Sequence, residues 1–164
     1  QSGTLIKKDK LSARLEEGFV ITQDYLSDKN IMGMSNTSIR KDVLYPLDIP
    51  DRLVAVDWFV FFQYLKGNTA VFTKKTWTYY RQHGANTLGD GMVSQESILR
   101  KIDAMIFHME ALKTTDGAPH EKLRDLYLLK ERVSIDKEML YLAQKDLSKA
   151  EIDYFWFEDI SSLL

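Results

Sequence analysis

The sequence predicts an α+β fold in which helix predominates, because the spacing of apolar residues changes once along the chain. Before about residue 85, short runs rich in β-branched and aromatic residues are typical of strands, as in Phe19 to Thr22 and Thr69 to Trp77. From Ser94 onward, apolar residues recur every three or four positions, as in a helix that buries one face. We therefore divide the chain into residues 1–93, with a few strands, and residues 94–164, a helical hairpin with a short terminal helix.

The composition limits the class of protein. With 164 residues the chain is long enough for one domain with a substantial core. A hydrophobic content of 45% and a charged content of 28% are ordinary for a soluble globular protein. The net charge of −2 gives no electrostatic reason to expect nucleic acid as a partner. No run approaches the ~18 consecutive apolar residues of a membrane span, so we expect no transmembrane segment, while peripheral membrane association stays open.

Two further features bear on location and processing. The sequence contains no Cys, which excludes disulfides and thiolate metal sites and agrees with a cytoplasmic location. It begins at Gln1 rather than Met, which suggests a processed or truncated chain.

In residues 1–93, short elements are expected to alternate with turns. Leu11 to Glu17 is predicted to form one or two helical turns that end at Gly18, and Lys41 to Leu44 another short turn of helix. Between them, the segment 32–36 (MGMSN) permits either a simple sharp turn or a close approach to a ligand, because Gly33 has no Cβ.

Asp57 precedes the most apolar stretch of the chain, WFVFFQYLK at positions 58–66. A helix with apolar residues on nearly every side is buried on most of its surface, and Gly67 can end it. The predicted strand from Thr69 to Trp77 then leads into Tyr80-Arg81-Gln82-His83, with Asn86 shortly after. If the extended conformation continues, Arg81 and His83 lie on the same side of the strand.

In residues 94–164, Ser94 is a suitable N-cap for a first helix, and Pro119 fits the first turn of a second helix that runs to about Leu147. Ser148 to Glu151 matches a capping box and predicts the start of a third helix. We interpret the apolar stripes of these helices as core positions rather than a cofactor site: Ile98, Ile102, Met105, Met109, Leu112, Leu126, Leu129, Val133, Leu140 and Leu147.

Asp57-Trp58, the apolar helix, the strand and the Tyr80-to-His83 string occur in an order that resembles the C-terminal half of family 2 glycosyltransferases of the GT-A fold. The segment from Gly33 to Lys41 resembles the Gly-containing stretch that precedes the acidic helix in those enzymes. The resemblance covers roughly residues 19 to 89. It implies that residues 1–93 are a partial GT-A-like (α/β) region on the acceptor side. The nucleotide-binding half, with its Asp-x-Asp motif, would precede Gln1, so we expect this chain alone to be inactive.

The resemblance also implies roles for individual residues. Asp57 corresponds to the general base of an inverting transfer from a nucleotide-sugar donor to a glycan or polysaccharide acceptor. Arg81 would bind the diphosphate, and His83 would be a ligand of Mn²⁺ or Mg²⁺. The donor sugar would be contacted by Gly33, Ser35 and Asn36, with Tyr80, Gln82 and Asn86 as weaker candidates.

Each role has a structural alternative. Asp57 could cap the helix that starts at Trp58, Arg81 could form an ordinary ion pair, and His83 could be a structural histidine. For the whole chain, the alternative to a transferase is a non-catalytic helical module for protein interaction or oligomerisation. We also expect a homo-oligomer, because the Trp58–Leu65 helix and the Tyr154–Phe157 cluster need covering.

Overall fold

A computed structural model describes residues 11–78, 94–116, 120–150, 157–161 and 163–164. Within them the chain forms two strands and five α-helices, joined by turns. The strands are β1 (Val20–Ile21) and β2 (Ala70–Val71), and the helices are α1 (Val56–Tyr64), α2 (Gln95–Asp116), α3 (His120–Ile135), α4 (Lys137–Ala150) and α5 (Glu158–Ser161). Short 3₁₀ turns occupy Asp24–Leu26 and Lys41–Val43, the second where a helical turn was predicted.

The sheet is a single antiparallel pair, with Val20 opposite Val71 and Ile21 opposite Ala70. It is shorter than the sequence predicted, because the strand partner is replaced by a side chain. Beyond β2, the backbone N–H of Lys74 donates to the carboxylate of Glu17 at 2.5 Å instead of to a neighbouring strand. The prediction that strands lie only before about residue 85 is confirmed for the residues that the structure describes.

Helix α1 is buried on most of its surface, as its composition predicted. Its buried residues are Trp58, Phe59, Val60, Phe61 and Gln63. Gly67 follows the helix in the left-handed conformation, with a φ of 70°, which a residue without a Cβ adopts at little cost.

The helical part differs from the prediction in two places. The second predicted helix is interrupted at Asp136, whose side chain accepts from the N–H groups of Glu138 (2.9 Å) and Met139 (3.2 Å) and so caps α4. The predicted helix start at Ser148 is wrong, because α4 continues through that residue to Ala150. The capping-box pattern there is overridden by a helix already in progress.

Trp58 lies at the centre of the core. Its side chain is fully buried, and its indole N–H donates to the carbonyl of Leu26 at 2.6 Å. Its ring stacks on His108 of α2 and on Phe157, with centroid separations of 3.8 and 4.8 Å. One apolar cluster thus joins residues from both sides of the predicted boundary at 93/94, including Leu15, Ile21, Leu26, Ile102, Met105, Leu126, Val133 and Ile160.

This packing removes one reason for expecting a homo-oligomer, namely that Trp58 and Phe157 need a second chain to cover them. The side chains of Trp58 and Phe157 are 0% and 3% exposed, so the chain itself covers them. Tyr154, Phe155 and Trp156 lie outside the described residues. Any surface for self-association among the described residues must therefore be sought elsewhere.

Candidate functional site

Asp57 occupies the first turn of α1 rather than the N-cap position, which belongs to Ala55. Its Oδ1 accepts two hydrogen bonds, from the backbone N–H of Trp58 at 2.9 Å and from the Nδ2 of Asn30 at 3.1 Å. The carboxylate therefore satisfies one N–H group at the helix N-terminus, where a negative charge is also favourable. The capping alternative is partly realised, and it engages one carboxylate oxygen.

The turn at Gly33 lies directly beside this carboxylate. Its backbone N–H donates to the Oδ1 of Asn36 at 2.6 Å, and the N–H of Asn36 donates back to the Gly33 carbonyl at 3.1 Å. A Cβ on Gly33 would lie 3.5 Å from the Oδ2 of Asp57 and 3.4 Å from the Oδ1 of Asn36. The glycine thus brings the backbone of the turn into contact distance of both side chains. The structure places together three residues that the sequence singled out: Gly33, Asn36 and Asp57.

Asn30 completes the cluster, although the sequence analysis did not identify it as a site residue. Its side chain is 4% exposed, and its Oδ1 is buried without a hydrogen-bond partner among the described residues. A buried amide oxygen without a donor carries a desolvation cost, so it is an acceptor suited to a ligand hydroxyl or a water. The signal in the sequence was weak, because Asn30 ends a polar stretch, residues 27–30, that matches no motif.

Burial sets the protonation behaviour of Asp57. It raises the pKa of the carboxyl above its ordinary value, although the hydrogen bonds from the Trp58 N–H and from Asn30 oppose this rise. A carboxylate with a raised pKa is a stronger base, which is the property that a general base needs. The raised pKa therefore makes Asp57 a better proton acceptor than an ordinary exposed aspartate.

Of the other predicted site residues, the structure describes only Ser35. Ser35 is exposed, and its carbonyl accepts from the hydroxyl of Thr78 at 3.2 Å, which joins the turn to the end of the β2 segment. Arg81 and His83, predicted to bind diphosphate and metal, lie outside the described residues, as do Tyr80, Gln82 and Asn86.

The residues around Asp57 do not form a metal site by themselves. In the described part of the chain, no group of three or more His, Cys, Asp or Glu side chains could hold a metal ion. Asp57 brings a single carboxylate to its cluster, where its hydrogen-bonding neighbours Asn30 and Trp58 are uncharged. Mn²⁺ and Mg²⁺ prefer several oxygen ligands, so this donor set alone does not fit either ion.

His108 of α2 packs against α1, the helix that carries Asp57, and the sequence pattern gave this histidine no role. Its ring is fully buried between α1 and α2, stacked on Trp58 and edge-on to Phe62 with a centroid separation of 6.1 Å. Neither ring nitrogen has a hydrogen-bond partner among the described residues. Burial, with a smaller contribution from the charge of Lys122, lowers the pKa of His108 to about 3. The imidazole is therefore neutral and belongs to the core that supports Asp57.

Comparison of the chain with protein-family models, with curated proteins and with solved structures found no significant match. Among the helices in the described part of the chain, none has the length and apolar character needed to cross a membrane.

Proposed function

We propose that the chain forms the acceptor side of an inverting glycosyltransferase, with Asp57 as the general base. One observation carries the proposal: the turn that was expected to face the donor sugar packs against the carboxylate that was expected to be the base. Asp57 Oδ2 lies 3.5 Å from the position of a Cβ on Gly33, although the two residues are far apart in sequence. Two segments identified separately by the resemblance thus form one cluster.

The chemistry follows from the two carboxylate oxygens. Oδ1 is held by the N–H of Trp58 and the amide of Asn30, which fixes the orientation of the carboxylate. Oδ2 is directed to the side of Gly33 and is the oxygen that takes the proton of the acceptor hydroxyl in the proposed reaction. The deprotonated acceptor oxygen then attacks the anomeric carbon, and the nucleoside diphosphate leaves from the opposite face, which inverts the configuration.

The donor side of the proposal depends on residues that the structure does not describe. Arg81 would pair with the diphosphate, since a guanidinium binds phosphate oxygens through two hydrogen bonds. His83 would bind Mn²⁺ or Mg²⁺ only together with carboxylates supplied from elsewhere. In that case, the His83→Ala variant loses metal affinity, and excess metal partly restores donor binding.

The test compares Asp57→Asn with wild type in the protein as the cell makes it, supplied with a nucleotide sugar and a glycan acceptor. Asparagine keeps an oxygen for both hydrogen bonds but cannot take the proton, so turnover should fall by roughly 10²-fold or more. Donor affinity should stay unchanged, because the base touches only the acceptor. Asp42→Asn is the matched control, since that carboxylate is exposed and pairs with Arg40. Near-normal turnover in folded, donor-binding Asp57→Asn would make Asp57 a structural residue and refute the assignment.

The alternative is a non-catalytic helical module for interaction or oligomerisation. A specific observation favours it: α3 and α4 expose large apolar side chains, among them Ile135 at 75%. The two functions are separated by a binding experiment. A transferase binds nucleotide sugar with an affinity that Arg81→Ala reduces, whereas an interaction module shows no such binding.

A further inference from the structure

A stripe of three large aliphatic side chains follows the outer face of α3 and α4. Leu128, Ile135 and Leu142 are 45%, 75% and 44% exposed, and they are spaced seven residues apart, which is two helical turns. We call these three residues the outer stripe. The buried residues of the same helices, Leu126, Leu129, Val133 and Ala143, line the core. Because 3.6 residues make a turn, Ile135 lies about 200° around the helix from Val133, on the side away from the core.

The outer stripe continues across the break between the two helices. The N–H of Asp136 donates to the Arg132 carbonyl at 2.8 Å, and the N–H of Leu140 donates to the Asp136 carbonyl at 2.9 Å. These are the last bond of α3 and the first bond of α4, since the N–H groups of Glu138 and Met139 donate to the Asp136 side chain between them. Burial shows how the two helices face: Val133 and Ala143, on either side of Asp136, are both fully buried in one apolar cluster, whereas Ile135 and Leu142 are exposed. The outer stripe therefore stays on the side away from the core.

We propose that the outer stripe is a two-fold interface between two copies of this chain, paired antiparallel about Ile135. In this arrangement Ile135 packs on its own copy, and Leu128 packs on Leu142 of the second copy, and the reverse. Such a self-complementary patch is what a two-fold dimer requires.

The charges beside the stripe select both the partner and the direction. Arg132 precedes Ile135 by three residues and Glu138 follows it by three, and both side chains are exposed. In the antiparallel pair each Arg132 faces a Glu138 of the second copy, which gives two opposite-charge pairs by symmetry. In a parallel pair each residue would face itself, with like charges opposed.

The sequence extends the same symmetry outward. Arg124 and Asp146 lie at equal distances from Ile135 along the chain and have opposite charge, as do Glu121 and Lys149. A partner of unrelated sequence gives no reason for this mirror pattern, whereas a second copy of the chain does. The proposal does not depend on the transferase assignment, since the outer stripe and Asp57 share no residue.

The first test is sedimentation of the chain from about 1 µM to about 500 µM, a range that brackets a dissociation constant in the micromolar region. A monomer–dimer equilibrium is expected. Ile135→Glu places two like charges at the centre of the interface and should weaken dimerisation by roughly 100-fold or more. Val71→Glu is the control, because Val71 is an aliphatic residue of similar exposure, 64%, outside the stripe. Circular dichroism spectra of both variants should match that of wild type, because both positions face solvent.

The second test uses the charges and reports the direction of pairing. Arg132→Glu alone, or Glu138→Arg alone, opposes like charges at two symmetric positions and should weaken each homodimer about tenfold. Mixing the two variants restores both opposite-charge pairs, so they should form a heterodimer with the affinity of wild type. A chain that is monomeric at about 500 µM overturns the proposal. A dimer that Ile135→Glu leaves intact, or two variants that fail to recover affinity on mixing, overturns it equally.

Discussion

The buried imidazole of His108 should make the fold sensitive to mild acid. The ring is fully buried against Trp58, and in the folded chain its pKa is lowered from 6.5 to about 3, mainly by burial. As the pH falls below 6.5, the unfolded chain takes up a proton at His108 and the folded chain does not. Protonation therefore favours the unfolded state, and the associated stability is complete above pH 6.5 and lost progressively toward pH 3.

The size of this effect follows from the difference between the two pKa values. Each pH unit between them changes the free energy of unfolding by about 1.4 kcal/mol. From pH 8 to pH 5 the protein should therefore lose about 2 kcal/mol through His108. The positive charge of Lys122 also lowers the pKa of His108, because it disfavours a second positive charge on the imidazole. That loss is a sizeable part of the ~5–15 kcal/mol that stabilises an ordinary domain.

The assay is urea unfolding followed by circular dichroism at pH 8, 6.5 and 5, on wild type and on His108→Leu. Leucine fills the site with an apolar side chain of similar size and removes the titrating group. The stability difference between the two proteins should shift by about 2 kcal/mol in favour of the variant between pH 8 and pH 5. An equal pH dependence in both proteins would show that the imidazole is protonated or solvated in the fold, and would refute the packing argument.

Three further variants, with Asp42→Asn as a control, have expected outcomes in thermal or urea melts. Asp57→Asn should melt at a higher temperature than wild type at pH 7. Burial raises the pKa of Asp57, so its ionised form is costly in the folded state. This difference in melting temperature should vanish below pH 3.8, the ordinary pKa of the carboxyl. Glu158→Gln should cost about 1 kcal/mol or more, since its side chain, 13% exposed, forms two ion pairs that tie α5 to the N-terminal part. Asp42→Asn, at an exposed ion pair, should leave the melting temperature unchanged. Trp58→Phe should cost at least about 2 kcal/mol, because it orphans the Leu26 carbonyl and leaves a cavity.

Each of these expectations can fail in a distinct way. A lower melting temperature for Asp57→Asn at pH 7 would mean that the charge of the carboxylate stabilises α1 more than its burial costs. A Glu158→Gln protein as stable as wild type would show that α5 is held by Phe157 and Ile160 alone. A Trp58→Phe protein as stable as wild type would mean that the Leu26 carbonyl finds another donor.

Local patterns in the sequence were sufficient for much of the fold. The apolar composition of residues 58–66 predicted a helix buried on most sides, and the structure confirms it. The helical spacing after Ser94 likewise predicted α2 and its buried face correctly. Local patterns could not predict which distant group would bind a given backbone N–H. Glu17 takes the backbone N–H of Lys74 and shortens the sheet, and that contact joins residues far apart in the chain.

The candidate site likewise contains residues that the sequence predicted and residues that it did not. Gly33 and Asp57 were identified from motif and order, and the structure brings them together. Asn30 escaped notice because its importance lies in burial beside a carboxylate, which no spacing in the sequence encodes. The neutral His108 was also unpredictable, since an isolated histidine on a helix gives no sign of the aromatic rings that will enclose it.

The single residue between α3 and α4 has an evolutionary and engineering consequence. Because α3 and α4 bury Val133 and Ala143 in the same core on either side of Asp136, inserting or deleting one residue there would change the rotational phase of α4 by about 100°. Ala143, which is fully buried, would then leave the core. The length of this junction is therefore fixed by geometry, and its residue by the cap that Asp136 gives to α4. A circularly permuted or loop-grafted variant should be opened instead in the exposed stretch between Pro46 and Pro50, where no such phase must be kept.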